Sequence, residues 1–260
     1  MIYVNDERIL FKEFPAGEKK INYCVRDKYH SIKWLYENDD ELLTIYFVAE
    51  HIKNNGGELD TLYMPYCPNA RQDRVKNDYE VFTLKYFCNI INSIGFKKII
   101  VNDAHSDVCV ALLNNCVNIS SCCIVENLIK NIGLNKEKDI VFYPDNGCAK
   151  KYEGKIKFPY LIGHKVRDWK TGNIENLDIV GNHPSKNFNV LIVDDICSRG
   201  GTFYHAAKKL KEIGANKIYL FVTHLENSVF DGEMINSGLI EHIYTTKSIY
   251  TAEDGRITVI

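Results

Sequence analysis

The stretch Val190-Leu191-Ile192-Val193-Asp194-Asp195-Ile196-Cys197-Ser198-Arg199-Gly200-Gly201-Thr202 decides how this chain is read. Its aliphatic start, 190–193, has the unbroken apolar character of a strand buried on both faces. Downstream, Phe203, Ala206, Ala207, Leu210 and Ile213 recur at helical spacing. The polar loop between them therefore lies at the carboxyl end of a strand and the amino end of a helix. Unpaired N–H groups and the helix dipole favour an anion such as phosphate there. The glycines let the backbone come close to that anion. The paired carboxylates of Asp194 and Asp195 suit vicinal hydroxyls such as those of a ribose. Together these parts make a site for a phosphorylated ribose. Strand–glycine–helix turns also serve packing alone, and paired Asp residues also cap loops, so the stretch needs support from elsewhere in the chain.

Working outward, strands and helices alternate from end to end. Helical faces are marked by Leu42, Ile45, Val48 and Ile52, and by Val81, Leu84, Cys88 and Ile91. Strands are expected at 62–66, 98–101, 140–143 and 217–224, most of them running into polar loops. The pattern is α/β with mostly parallel sheets whose polar strand ends collect along one edge. Polar residues at 133–138 read as a turn between domains, giving an expected division into 1–135 and 136–260. At 260 residues, 45% hydrophobic and 25% charged, the chain can bury a sizeable core. A net charge of −2 gives no general pull toward nucleic acid. The sequence shows no membrane-length apolar run and no signal-peptide pattern, so a cytoplasmic location is expected. The nine Cys include no CxxC pair, which argues against zinc and for reduced, mostly buried thiols.

Four further clusters carry chemistry. Pro65-Tyr66-Cys67-Pro68-Asn69-Ala70-Arg71-Gln72-Asp73-Arg74 is a rigid polar loop after a strand, whose Arg side chains can grip a polyphosphate or the edge of an adenine. By composition alone a solvated surface loop with an Arg–Asp pair is the favoured reading. Asp103 and His105, two apart at a strand end, are expected to point the same way and to serve a divalent cation. Asp145 sits in a Pro-Asp-Asn-Gly turn. In Gly163-His164-Lys165-Val166-Arg167 two cations project to one side of an extended segment, suited to charge developing on a transferring phosphoryl group.

Taken together, the clusters resemble the ribose-phosphate pyrophosphokinase (phosphoribosyl pyrophosphate synthetase) family in identity and order. The resemblance runs from about Phe14 to Tyr250. Phe14-Pro15-Ala16-Gly17-Glu18 is similar to the family's Phe-x-x-Gly-Glu loop, and 65–74 to its Arg-Gln-Asp-Arg loop. Asp103-Ala104-His105 resembles its Asp-Leu-His element. Pro144-Asp145-Asn146-Gly147 with Lys150-Lys151 resembles its Pro-Asp-x-Gly segment, Lys165-Val166-Arg167 its Lys-x-Arg loop, and 194–202 its sugar-phosphate loop. The resemblance implies two tandem phosphoribosyltransferase-like (Rossmann-like) domains. It also implies transfer of the β,γ-diphosphoryl group of ATP to the anomeric hydroxyl of ribose 5-phosphate, with Mg2+ as cofactor. On that basis Phe14, Glu18, Arg71, Gln72, Asp73 and His105 hold the nucleotide, and His105 and Asp145 the metal. Lys165 and Arg167 stabilise the transition state. Asp194 and Asp195 take the ribose hydroxyls, Asp195 serving also as a base. Ser198, Arg199, Gly200, Gly201 and Thr202 take the phosphate. A nucleotide site shared across subunits implies a homodimer or a higher homo-oligomer.

The chain also departs from the family pattern. It begins close to the Phe-Pro-Ala-Gly-Glu loop, so the family's first strand and helix are expected to be mostly missing. Ala16 replaces an acidic or amide residue. Ser198-Arg199 stands where the family has Asp-Thr, which adds a cation and opens ADP-ribose as an alternative acceptor. A phosphoribosyltransferase that consumes phosphoribosyl pyrophosphate shares the acidic loop but needs neither the Arg-Gln-Asp-Arg loop nor the Lys-x-Arg pair. A non-catalytic regulatory relative is expected to lack His105 or the cation pair, and both are kept.

Overall fold

The computed structural model describes residues 1–167, 174–184 and 186–260; the side chains at 165–167 and 174–177 lie outside that description. The chain forms two compact units, Met1–Ser120 and Ser121–Ile260.

In the first unit the elements are β1 (Ile2–Val4), β2 (Glu7–Arg8), β3 (Phe11–Glu13), β4 (Lys19–Ile21), β5 (Tyr29–Trp34), α1 (Asp40–Asn54), β6 (Glu58–Tyr63), α2 (Thr83–Ile94), β7 (Lys98–Asn102), α3 (Asp107–Leu112) and β8 (Cys116–Ile119). Its sheet has the order β2-β1-β5-β6-β7-β8, parallel from β5 onward. β3 and β4 form a separate antiparallel hairpin. α1 buries Ile45, Val48, Ala49 and Ile52, and α2 buries Leu84, Phe87, Cys88, Ile91 and Ile94, the stripes that a helical period places on one face. Gly95, at φ +87, ends α2 in the left-handed conformation that favours glycine.

In the second unit follow α4 (Cys122–Asn131), β9 (Ile140–Tyr143), α5 (Asn146–Tyr152), β10 (Tyr160–Arg167), β11 (Ile174–Val180), β12 (Phe188–Cys197), α6 (Gly201–Glu212), β13 (Ala215–Leu225), β14 (His242–Thr245) and β15 (Ile257–Val259). The sheet order is β11-β10-β9-β12-β13-β14-β15, parallel except for the β10–β11 pair. Apolar residues of β12 bury into two layers. Val190 and Ile192 pack with α6 residues, while Leu191 and Val193 pack with residues of α4 and α5.

The division falls earlier in the chain than the sequence-based expectation of 135/136. Val125, Leu128 and Ile129 of α4 share a core with Val141, Tyr143 and Tyr152, so α4 belongs to the second unit. The polar turn at 133–138 connects two elements of one unit and separates nothing. Strand β12 also outruns its apolar stretch, continuing through the acidic pair to Cys197 beside β13. Pro65 shifts the other boundary: β6 stops at Tyr63, short of the expected Tyr66.

Candidate active site

The second unit reverses its winding between β9 and β12. From β9 the chain passes through α5 to β10 on one side; from β12 it passes through α6 to β13 on the other. In open α/β sheets the crevice outside the carboxyl ends of two such strands is where ligands bind. Asp145 follows β9, and Asp194 and Asp195 lie near the end of β12. Asp145 caps α5, its Oδ1 accepting from Cys148 N at 3.0 Å, so it is a helix cap and not only a turn residue. Asp195 is buried and its Oδ2 pairs with Lys151 Nζ at 3.1 Å, while Asp195 N donates to Asp194 Oδ1 at 2.9 Å. Burial pushes the Cys148 thiol well up, and the charges of Asp194, Asp145 and Asp195 add to that push against the opposing pull of Lys151. All three carboxylates therefore act on one buried sulfur, whose Sγ donates to Val193 O at 2.9 Å.

The 198–200 loop has the predicted strand–loop–helix form. Gly200, at φ +76, precedes α6, and Tyr204 N donates to Gly200 O at 2.9 Å. A Cβ at Gly200 would meet Met234 at 2.7 Å, so dihedral and space both require glycine. Arg199 and Gly201 are exposed, Ser198 and Thr202 half-buried.

In the first unit, the 65–74 and 103–106 loops leave the adjacent strands β6 and β7. Asn102 N donates to Pro65 O at 2.9 Å, and Cys109 Sγ donates to Cys67 Sγ at 2.9 Å beneath the loops. Hydrogen bonds with Cys109 and Cys88, together with burial, push the Cys67 thiol well up. Asp73 is buried and takes a two-point bond from Arg74, Nε–Oδ1 2.7 Å and Nη2–Oδ2 3.1 Å. That guanidinium holds its carboxyl below the ordinary range against the cost of burial, with Ser106 and His105 also lowering it. Asp73 thus joins two motifs that lie far apart in sequence. Arg71 and Gln72 are exposed, and Gln72 Oε1 accepts from Thr83 Oγ1 at 2.9 Å.

Asp103 and His105 do not point the same way: Asp103 is buried and His105 exposed. The strand ends at Asn102, and Asp103 takes φ +48, which breaks the alternation of a strand. Phe14 and Glu18 stand exposed on the β3–β4 hairpin, closed by Phe14 N to Glu18 O at 2.8 Å. The backbone of Lys165 and Arg167 lies in β10 opposite Leu177 and Ile174, but their side chains lie outside the described residues. Sequence reasoning gave no role to Lys151 or Cys148; the adjacent pair Lys150-Lys151 after the Pro-Asp-Asn-Gly segment was the available signal.

Mg2+ fits the donor chemistry of the second unit. Asp145 after β9 and Asp194 and Asp195 in β12 offer hard oxygen donors, with Lys151 paired to Asp195. Among the described residues no group of three or more His, Cys, Asp or Glu forms a ready-made cage. Magnesium rarely needs one, since it keeps waters and shares substrate phosphates. None of the described helices is long and apolar enough to cross a membrane.

Switch point, acidic pair and glycine-led helix give the second unit an α/β fold of phosphoribosyltransferase type. The phosphoribosylpyrophosphate synthetase of Mycobacterium smegmatis has this fold, with a TM-score of 0.79 over 97% of this chain and 85% of its own at 19% identity. A family described as phosphoribosyl synthetase-associated domain matches residues 165–255. The ribose-phosphate pyrophosphokinase of Sulfurisphaera tokodaii is 29% identical, covering 97% of this chain and 88% of its own length. That of Mycoplasma pneumoniae is also 29% identical, covering 93% and 76%. Over nearly its whole length the chain is similar to ribose-phosphate pyrophosphokinases.

Proposed function

We propose that the protein transfers the β,γ-diphosphoryl group of ATP to the anomeric hydroxyl of ribose 5-phosphate, forming phosphoribosyl pyrophosphate and AMP. The observation that carries this reading is the acidic pair at the β9/β12 switch point, one member buried against Lys151, beside a glycine-led helix start. The pair suits a sugar diol and the helix start a phosphate. The names of the relatives support the same chemistry.

In this reading Asp194 and Asp195 hold the ribose hydroxyls, and Ser198, Arg199, Gly200, Gly201 and Thr202 hold its 5-phosphate. Phe14, Glu18, Arg71, Gln72, Asp73 and His105 hold ATP. The anomeric oxygen attacks the β-phosphorus, the bond to the bridging α,β-oxygen breaks, and AMP leaves with that oxygen. The hydroxyl proton passes to Asp195 or to water. Negative charge grows on the β-phosphoryl oxygens and the leaving oxygen, where the cations of Lys165 and Arg167 act. His105 and Asp145 are the residues to hold Mg2+, which when bound neutralises phosphate charge. No protein nucleophile is needed, and the buried Cys148 serves packing.

The test is AMP formation from ATP and Mg2+ with ribose 5-phosphate or ADP-ribose as acceptor. Stoichiometric AMP and phosphoribosyl pyrophosphate with ribose 5-phosphate are expected. AMP at background with that acceptor overturns the proposal.

A further inference from the structure

A second backbone segment presses directly on the anion loop. Beyond β13 the chain makes two short 3-10 turns, Asn227–Asp231 and Met234–Asn236, with Gly232 between them. A Cβ built on Gly232 falls 1.8 Å from the carbonyl oxygen of Arg199 and 2.8 Å from its carbon. The φ of Gly232 is −103°, open to any residue, so the demand for glycine here is one of space alone. Buried Met234 fills the room under Gly200. At the start of the loop Glu226 N donates to Cys197 O at 2.8 Å.

The pressing segment is itself braced. Arg256 Nη1 donates to Ile235 O at 2.8 Å and to Asn236 Oδ1 at 3.1 Å. The same guanidinium is aimed by Asp254, through Nε–Oδ1 at 2.8 Å and Nη2–Oδ2 at 2.7 Å. A continuous set of contacts therefore runs from the Asp254–Arg256 pair, through the 232–236 turn, to the backbone of Arg199 and Gly200.

We infer that the 226–236 segment, braced by Arg256, is a positioning seat that sets the height of the anion loop and so the fit of its N–H groups to the acceptor's phosphate. The inference rests on the reading of that loop as the sugar-phosphate site. Gly232, Met234 and Arg256 touch no substrate in this scheme; they act through the loop backbone. Reaction geometry is sensitive to displacements of about an ångström, and a Cβ at Gly232 forces one.

Steady-state kinetics of Gly232→Ala, Arg256→Ala and Arg199→Ala, with each substrate varied in turn, test this. Gly232→Ala is expected to raise the KM for ribose 5-phosphate about 10- to 100-fold and leave the KM for ATP within about twofold. Arg256→Ala gives the same selective rise, about three- to tenfold, and Arg256→Lys does not restore it because an ammonium lacks the fork. Adding Arg199→Ala to Gly232→Ala raises the KM by less than the product of the single effects. A KM for ribose 5-phosphate unchanged in both Gly232→Ala and Arg256→Ala, or equal rises for both substrates, overturns the seat. If Gly232→Ala does not fold, Arg256→Ala alone decides. Should the wild type form no AMP, the diphosphotransfer reading fails separately. Calorimetric titration with ribose 5-phosphate then judges the seat, and equal affinities of wild type and Arg256→Ala, or no binding by either, overturn it.

Discussion

The two units handle their loops in different ways. The parallel part of the first sheet adds strands in one direction, β5 to β8, and its loops at 65–74 and 103–106 come together because β6 and β7 are neighbours. An ion pair then fixes them: Asp73 is held by Arg74 and stands close to Ser106 and His105. The second sheet reverses direction between β9 and β12, and its loop at 198–200 is fixed by backbone shape at Gly200 and by contact at Gly232. At the loops themselves, the first system is joined by a charge pair and the second by backbone shape and close contact. Charge-held loops yield to salt, acid and conservative substitution, whereas geometry-held loops yield to a methyl group.

The largest break in this comparison is expected from Gly200→Ala. The substitution places a side chain at positive φ and against Met234, and AMP formation should fall by about 100-fold or more while circular dichroism keeps the helical signal. Next comes Lys151→Met, which takes away the cation facing the buried Asp195. Urea unfolding at pH 7 should show a loss of about 1–2 kcal/mol, less than for a fully buried pair because Lys151 keeps some solvent contact, with Lys151→Arg close to wild type.

A smaller effect is expected in the first unit from Asp73→Asn: a rise of about three- to tenfold in the KM for ATP. Its pH dependence has a fixed sign. The folded pKa of Asp73 lies below the unfolded value, so its contribution is fully present above the ordinary carboxylate range and is lost as pH falls through the lowered folded value. The melting difference between wild type and Asp73→Asn should therefore close on acidification. Because Arg74 is largely exposed, raising salt should narrow the same difference while leaving the Gly200→Ala defect untouched. Thr83→Ala is the smallest break, removing one bond to Gln72 and changing either substrate's KM by less than about twofold.

Much of this was legible in the sequence where local rules and tertiary packing agree. The apolar run at 190–193, the glycines at 200 and 201 and the helical stripe after them specify strand, loop and helix without outside help. The rigid loop at 65–74 was equally plain from Pro65 and Pro68. What stayed hidden depends on partners distant in the chain. Nothing near Asp103 announces φ +48, which is accompanied by Asp103 N donating to Ile119 O and Ala104 N to Asn118 Oδ1. The unit to which α4 belongs was decided by β9 and α5, not by the polarity of the turn that follows it. Gly232 carries no sign of its role, because its dihedrals are ordinary and its constraint is a neighbour's carbonyl. The pairing of Lys151 with Asp195 spans a separation that no periodicity encodes.

All nine cysteines are free, but only Cys24 and Cys123 are exposed, and burial pushes the half-covered Cys116 up to about 11. The two exposed thiols fall one in each unit, Cys24 in Met1–Ser120 and Cys123 in Ser121–Ile260. The natural chain thus comes with a built-in pair of anchoring points for a donor and an acceptor dye. Energy transfer between fluorophores attached there would follow, in unmutated protein and in real time, any change in spacing between the two halves as nucleotide and sugar are added.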